Sequence, residues 1–486
     1  MANLRLPATN DDDNDSGRST RREALRDGAR LVAGASVAAQ VMAATGADTA
    51  MARAVRGVAQ RAADKPGYGP LIRDPGVGFS LPEGFRVVRF GAAGSPMSDG
   101  LKTPQFHDGT TAADAGSGRV AVVRNHEGDG AGRALGKAKA YDRVAQGGVT
   151  TSLFDTTTGT LLGSSLVLNG TDNNCNGGQT PWGSWLSCEE STAGKGDGFE
   201  KPHGYVFEVP LTATSPVDPV PIKAMGRFEH EACVIDPRTG VVYMTEDNGD
   251  PGDGFYRYIP NVAGRLHRGG RLEMLAVEGR SRYDTVTGQK VGRTLKCEWV
   301  PIKDPDPTDA EQHPEAVYEQ GRARGAARFE GLEGAHWADG SVYFVASEAG
   351  DDGKGQIWRY TPKGTKKGTL TLLFESNSGH VLDQPDSLTV SPRGGVVVGE
   401  DGDGEDINNG TNFLRCLTPA GTIATFARND TPLDLHAYDD EIKAGSIGRS
   451  EWSGLCYSPD GQWLFAHLQY PGETFAITGP WEKGWL

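Results

Sequence analysis

One pattern recurs six times along the chain: a glycine-led turn, a short apolar strand, and an acidic or amide residue at its end. The copies run Gly118–Glu127, Gly183–Glu190, Gly240–Glu246, Gly340–Glu348, Gly394–Glu400 and Gly461–Gln469. Their ends lie 63, 56, 102, 52 and 69 residues apart. A four-stranded propeller blade takes roughly 40–50 residues, so the repeats predict an all-β, six-bladed β-propeller. The 102-residue interval requires an insertion, assigned to residues 278–325, which are rich in Lys, Arg, Asp and Pro and lack strand alternation after Lys296. Glycine makes up 68 of the 486 residues, about twice its usual ~7% share. That excess suits many tight turns between short strands.

Four copies have a clear partner strand upstream, beginning at Glu231, Glu333, Asp386 and Glu451, with Pro, Asp and Gly in the connecting turns. In an antiparallel hairpin, the residue entering the first strand and the residue leaving the second lie at the same end. Glu231 and Glu246 are therefore expected at one rim, and Asp386 and Glu400 likewise. If these hairpins line a central channel, every copy sends an acid towards one mouth.

Residues 1–62 read as a separate segment. Arg21-Arg22 precedes a small apolar run from Leu31 to Thr45, the order of a twin-arginine export signal, with Ala24 where Phe is usual. That run is shorter than the roughly 20 residues of a membrane span, so no membrane span is expected. Residues 63–486 are expected to form one propeller domain, exported already folded to the periplasm or beyond. The net charge of −15 argues against nucleic acid and anionic membranes as partners, and the chain is expected to be a monomer. The six cysteines are scattered without a Cys-x-x-Cys pair, which excludes a zinc knuckle and speaks against a disulfide framework.

Clustered carboxylates repel one another and persist where cations neutralise them. Oxygen donors suit calcium. Cys175, in the polar, Gly-rich stretch Asn169–Glu190, is out of place for a core cysteine, and a thiolate among carboxylates suits a softer metal such as iron. The loops Asp247–Gly254 and Asp401–Asp406 add oxygens without the EF-hand pattern. Arg328, two residues before Glu330, could grip an anion with both prongs of its guanidinium or pair with a carboxylate.

Four stretches resemble the PhoX alkaline phosphatases: the segment around Cys175, Arg328–Glu333, Gln384-Pro385-Asp386, and Glu451–Trp481. The resemblance runs from about residue 68 to the end. It implies a six-bladed propeller, twin-arginine export, a mixed Fe3+/Ca2+ centre, and hydrolysis of small-molecule phosphate esters. By the same resemblance, Cys175 would bind iron, and Glu190, Glu231, Glu330 and Asp386 would bind iron or calcium. Glu246 and Asp247 would be calcium ligands, and Arg328 would bind phosphate. Gln384-Pro-Asp-Ser387 departs from the family's Asn-Pro-Asp-Asn while keeping Asp386. No Ser or Thr stands out as a nucleophile, so hydrolysis without a covalent intermediate is expected. The alternatives are a calcium-dependent propeller hydrolase of another class, lactonase or phytase-like, and a non-enzymatic binding propeller.

Overall fold

The computed structural model describes residues 67–74, 78–402, 411–431, 433–434, 447–448 and 450–486. The export segment therefore lies outside the described residues. Among them, no helix is long and apolar enough to cross a membrane.

The chain opens with three strands that belong to sheets completed much later: β1 (Leu71–Asp74), β2 (Phe79–Pro82) and β3 (Arg86–Phe90). Antiparallel units then follow in series. The first is β4 (His107–Gly116), β5 (Arg119–His126), β6 (Gly147–Asp155) and β7 (Thr160–Thr171); the second is β8 (Asn174–Gln179), β9 (Ser184–Glu189) and β10 (Val206–Pro210). The third holds β11 (His230–Ile235), β12 (Val242–Glu246), β13 (Phe255–Pro260) and β14 (Gly270–Val277). After β15 (Thr294–Pro301) and helix α1 (Ala316–Ala323) comes the fourth, β16 (Leu332–Ala338), β17 (Ser341–Ala346), β18 (Gln356–Lys363) and β19 (Lys367–Glu375). The fifth is β20 (Pro385–Val390), β21 (Val396–Glu400), β22 (Phe413–Leu417) and β23 (Ile423–Asn429), widened by β2 and β1. Two-residue strands β24 (Leu433–Asp434) and β25 (Ile447–Gly448) pair with each other. The last unit is β26 (Trp452–Tyr457), β27 (Leu464–Leu468) and β28 (Glu473–Thr478), and β3 completes its outer edge.

The first strand of each unit packs on the first strand of the next, and β26 packs on β4, so the six strands close a ring. This is the expected propeller arrangement, and each of the six sequence repeats forms the second strand of an inner hairpin. A separate hydrophobic cluster fills each space between neighbouring units. Val123, Leu168 and Phe207 lie between the first and second, for example, and Phe90, Phe154 and Phe465 between the last and first. Full burial of side chains this size contributes roughly 1.5–3 kcal/mol each, so the ring is held mainly face to face between units.

The insertion departs from expectation. Residues 294–301, most of which lie beyond Lys296 where no strand alternation is read, form β15, which pairs with both β14 and β19 and fuses the third and fourth units into one nine-stranded sheet. Its burial alternates over Thr294–Glu298; the charges at Lys296 and Glu298 sit on its exposed face and mask the strand in sequence.

At the axis, the inner strands come close enough to exclude side chains. A Cβ on Gly109 would stand 2.5 Å from the Asn176 Cα, and one on Gly454, at φ +54°, would stand 2.4 Å from the Asp108 carbonyl oxygen. Replacing Gly454→Ala is expected to cost about 1–3 kcal/mol or more through backbone strain and clash. Chemical denaturation measures this; an unchanged midpoint contradicts the described closeness of units at the seam.

Candidate metal centre

Each inner hairpin carries a β-bulge within its first few residues. The register slips by one residue between His107 and Thr110, Asn174 and Gly177, His230 and Cys233, Leu332 and Ala335, Pro385 and Leu388, and Ser453 and Cys456. A bulge re-aims the side chain beside it. The second residues of the six inner strands are Asp108, Cys175, Glu231, Glu333, Asp386 and Ser453. The residues just beyond the second strands are Glu127, Glu190, Asp247, Ser347, Asp401 and Gln469.

Eight of these converge. Ligand atoms of Asp108, Glu127 and Cys175 lie within 4.8 Å of one another, as do those of Cys175, Glu190 and Glu231. The same spacing holds for Glu190, Asp247 and Glu333, and for Glu231, Glu333 and Asp386. The groups share members, so they form one continuous donor patch at the channel mouth. Amides and a hydroxyl orient it. Asn125 Nδ2 donates to the Cys175 and Asn176 carbonyls at 3.1 and 2.7 Å, and Asn176 Nδ2 donates to Glu231 Oε1 at 3.2 Å. Asn173 Nδ2 donates to Glu190, Ser347 Oγ to Glu333, and Gln469 Nε2 to Glu127.

The electrostatics call for a cation. Burial first, then repulsion among neighbours, raises the Asp108, Glu190, Glu333, Asp386 and Glu451 carboxyls well above their usual range. Glu231 is pushed up to about 8 and Asp247 to about 6, in both cases mainly by burial. Burial and the surrounding carboxylates also push up the Cys175 thiol. Glu231 Oε2 and Asp386 Oδ2 are buried with no hydrogen-bond partner. A buried acceptor without a donor is costly, and a cation would satisfy both. Carboxylates with one thiol fit hard ions together with one softer ion.

Residues 66–472 match the family described as alkaline phosphatase PhoX. The chain belongs to this family. The solved structure of Pseudomonas fluorescens PhoX in complex with vanadate, described there as a transition-state analogue, has the same propeller fold, with a TM-score of 0.60 at 18% identity. The match covers 86% of this chain and 99% of that one. A gluconolactonase from Xanthomonas campestris matches at a TM-score of 0.40 and 12% identity, over 86% of this chain and 99% of its own. No curated protein sequence matches.

Of the residues singled out in this PhoX-family sequence, Cys175, Glu190, Glu231 and Asp386 come together in the patch. Glu246 does not join it: its Oε2 accepts from Gly254 N at 2.8 Å and the Tyr256 hydroxyl at 2.7 Å. The side-chain period of a strand is two, so Glu246 and its successor point to opposite faces, and Asp247 takes the place in the patch. Glu400, expected beside Asp386, is likewise turned into its sheet, where it pairs with Arg415 at 2.6 Å; Asp401 holds the equivalent rim position. Glu330 pairs with Arg328, which also donates to the Pro251 carbonyl at 2.9 Å and lies 3.4 Å from Asp284. Both lie outside the closely spaced groups, and Glu333, in the same segment, supplies that unit's donor.

Sequence reading did not single out Asp108, Glu127 or Glu333 as candidate ligands. A usable signal was present: the donor at the second position is followed by a small or amide residue, as in Asp108-Gly109, Cys175-Asn176, Glu231-Ala232, Glu333-Gly334 and Asp386-Ser387.

The raised Glu231 carboxyl sets a pH dependence for the metal-free PhoX chain. The folded state holds this proton more tightly than the unfolded chain, whose value is near 4.5. Its contribution to stability is complete below that value and is lost as pH rises through about 8. The thermal midpoint of cation-stripped protein is therefore expected to fall between pH 4.5 and 8, and added calcium should reverse the fall. A midpoint that rises over this window contradicts the assignment.

Proposed function

We propose that the chain hydrolyses phosphate monoesters at the channel mouth, with iron and calcium ions held by the convergent carboxylates and Cys175, after twin-arginine export from the cytoplasm. The observation that carries this reading is a thiol set between two carboxylate groups: Cys175 lies with Asp108 and Glu127 on one side and with Glu190 and Glu231 on the other. Family membership supports the same reaction. Cations bound there would supply charge neutralisation for a phosphoryl dianion and Lewis acidity towards water.

The chain's own residues do the rest by placement. Cys175 and the neighbouring carboxylates must release their protons to bind metal, so loading expels protons and strengthens with pH. Asn125, Asn173 and Asn176 fix the backbone and carboxylate orientations on the Cys175 side. Arg328 is the proposed ligand for phosphoryl oxygens. Its guanidinium is partly exposed and is held by Asp284 and Glu330, so an incoming phosphate would exchange with carboxylates already paired to it. Glu330, released by that exchange, is proposed as a further oxygen ligand.

Elemental analysis of the purified protein, alongside hydrolysis of a simple phosphate ester, tests the proposal. Iron with calcium is expected. Calcium alone favours a calcium-only hydrolase, and protein without bound metal overturns the reading. Cys175→Ser should lose iron while keeping the fold. Arg328→Ala should raise KM for the ester by about tenfold or more, the scale for removing a charge-assisted contact, with metal content unchanged. Unaltered kinetics in Arg328→Ala would remove that residue from the site.

A further inference from the structure

A cavity of about 730 Å3 opens beside the acidic mouth, between residues 93–106 and the loop that follows β5. Its wall includes His126 and Gly128, the two chain neighbours of Glu127. It also includes Pro471, two residues beyond Gln469, whose amide donates to Glu127. The Glu127 amide in turn donates to the Phe106 carbonyl at 2.9 Å, and Phe106 lines the cavity. The cavity and the donor patch therefore share one wall.

The lining is mixed: Met97, Leu101, Phe106, Leu135 and Leu166 form its apolar part, and polar groups line it to about the same extent. Several polar groups around it are already engaged. The His126 ring bonds the Gln105 carbonyl and Thr150 Oγ1, and the Gln146 amide donates to the Asp129 and Gly130 carbonyls. The lining carries one charge of each sign, the exposed Lys102 and Asp129. Phe106 is held at φ +51°, a region uncommon for bulky residues. Backbone outliers of this kind cluster at ligand sites, and here the outlier supports both the ring in the wall and the carbonyl bonded to Glu127. The volume lies within the roughly 300–1,000 Å3 typical of small-molecule sites.

We infer that this cavity seats the alcohol half of the ester while the phosphoryl group occupies the acidic mouth. The alcohols it fits are bulky, with an apolar body such as an aryl group against Leu135 and Leu166 and polar edges towards the rest of the lining. The inference rests on the phosphatase reading of the mouth, and the experiment separates the two.

The metal-loaded full chain is compared with its Leu135→Trp variant on 1-naphthyl phosphate and on glycerol phosphate. Filling the cavity is expected to lower kcat/KM for the naphthyl ester by about tenfold or more, chiefly through KM, and to leave glycerol phosphate within about twofold. Retained turnover of the small ester shows that the variant folds and keeps its centre. Equal loss on both esters, or no loss on either, overturns the cavity assignment. Should the parent protein hydrolyse neither ester, the phosphatase reading falls. Binding of 1-naphthol, followed by fluorescence in parent and variant, then decides the cavity: binding lost in the variant supports it, and absent or unchanged binding refutes it.

Discussion

The site depends on a geometric constraint at the axis: six inner hairpins must converge without their side chains colliding. The shared solution is one extra residue in each inner strand, close to the mouth. The bulge bends the strand and gives its second residue a place in the ring. The residue after it is glycine in three units and Ala, Ser or Asn in the others; at Gly109, Gly334 and Gly454 a Cβ would stand 2.5, 2.9 and 2.4 Å from a neighbouring backbone atom. Ring closure and donor placement are therefore consequences of the same backbone feature.

Strand alternation then sorts the acids into two populations that sequence composition cannot distinguish. Glu189, Glu246 and Glu400 end their strands and point into the sheets. Glu189 accepts from the Gly204 and Tyr205 amides, Glu246 from the Gly254 amide, and Glu400 from the Phe413 amide. Each ties an inner hairpin to its third strand, and each is buried with donors at hand. Their successors Glu190, Asp247 and Asp401 stand one residue further on, just beyond the strand ends. Donors at hand lower the cost of burying a single carboxyl, whereas a group of carboxylates facing one another needs a cation to stay charged. The difference between a structural acid and a ligand is thus one residue of register.

That difference sets how much could be read from the sequence. The repeat count, the ring of hairpins and the convergence at one mouth were legible, because glycine turns and apolar strands recur with their spacing intact. Cys175 stood out because a thiol in a polar, Gly-rich stretch has no place in a core. The choice between Glu246 and Asp247, or between Glu330 and Glu333, was not legible from composition, since both members of each pair are acidic and adjacent or nearly so. Only the strand ends, set by pairing across the sheet, resolve them. Strand β15 escaped because its single buried alternation lies in a stretch dominated by Lys, Asp and Pro, and its pairing partners lie on two different units.

The ring is also uneven. The last unit has Ser453 and Gln469 at these two positions, and its acid, Glu451, precedes the strand. Beneath that junction with the first unit lie His107, His126 and His467, with ring centroids 5.1 and 5.8 Å from His107. Burial, with the Arg124 charge adding to it, holds all three well below their usual range, hence neutral. Arg124 itself is buried; it donates to the Gly91 carbonyl and to Thr474 and Thr150 hydroxyls, and has no carboxylate partner among the described residues. Charge in a low-dielectric interior acts over a longer range than at a surface. This junction therefore brings one buried positive group into the same two units that carry the Asp108, Glu127 and Glu451 carboxyls. The side cavity borders the same junction through His126 and Pro471. Glu127, a member of the donor patch whose amide is bonded to Phe106 of the cavity wall, is the residue that links the two.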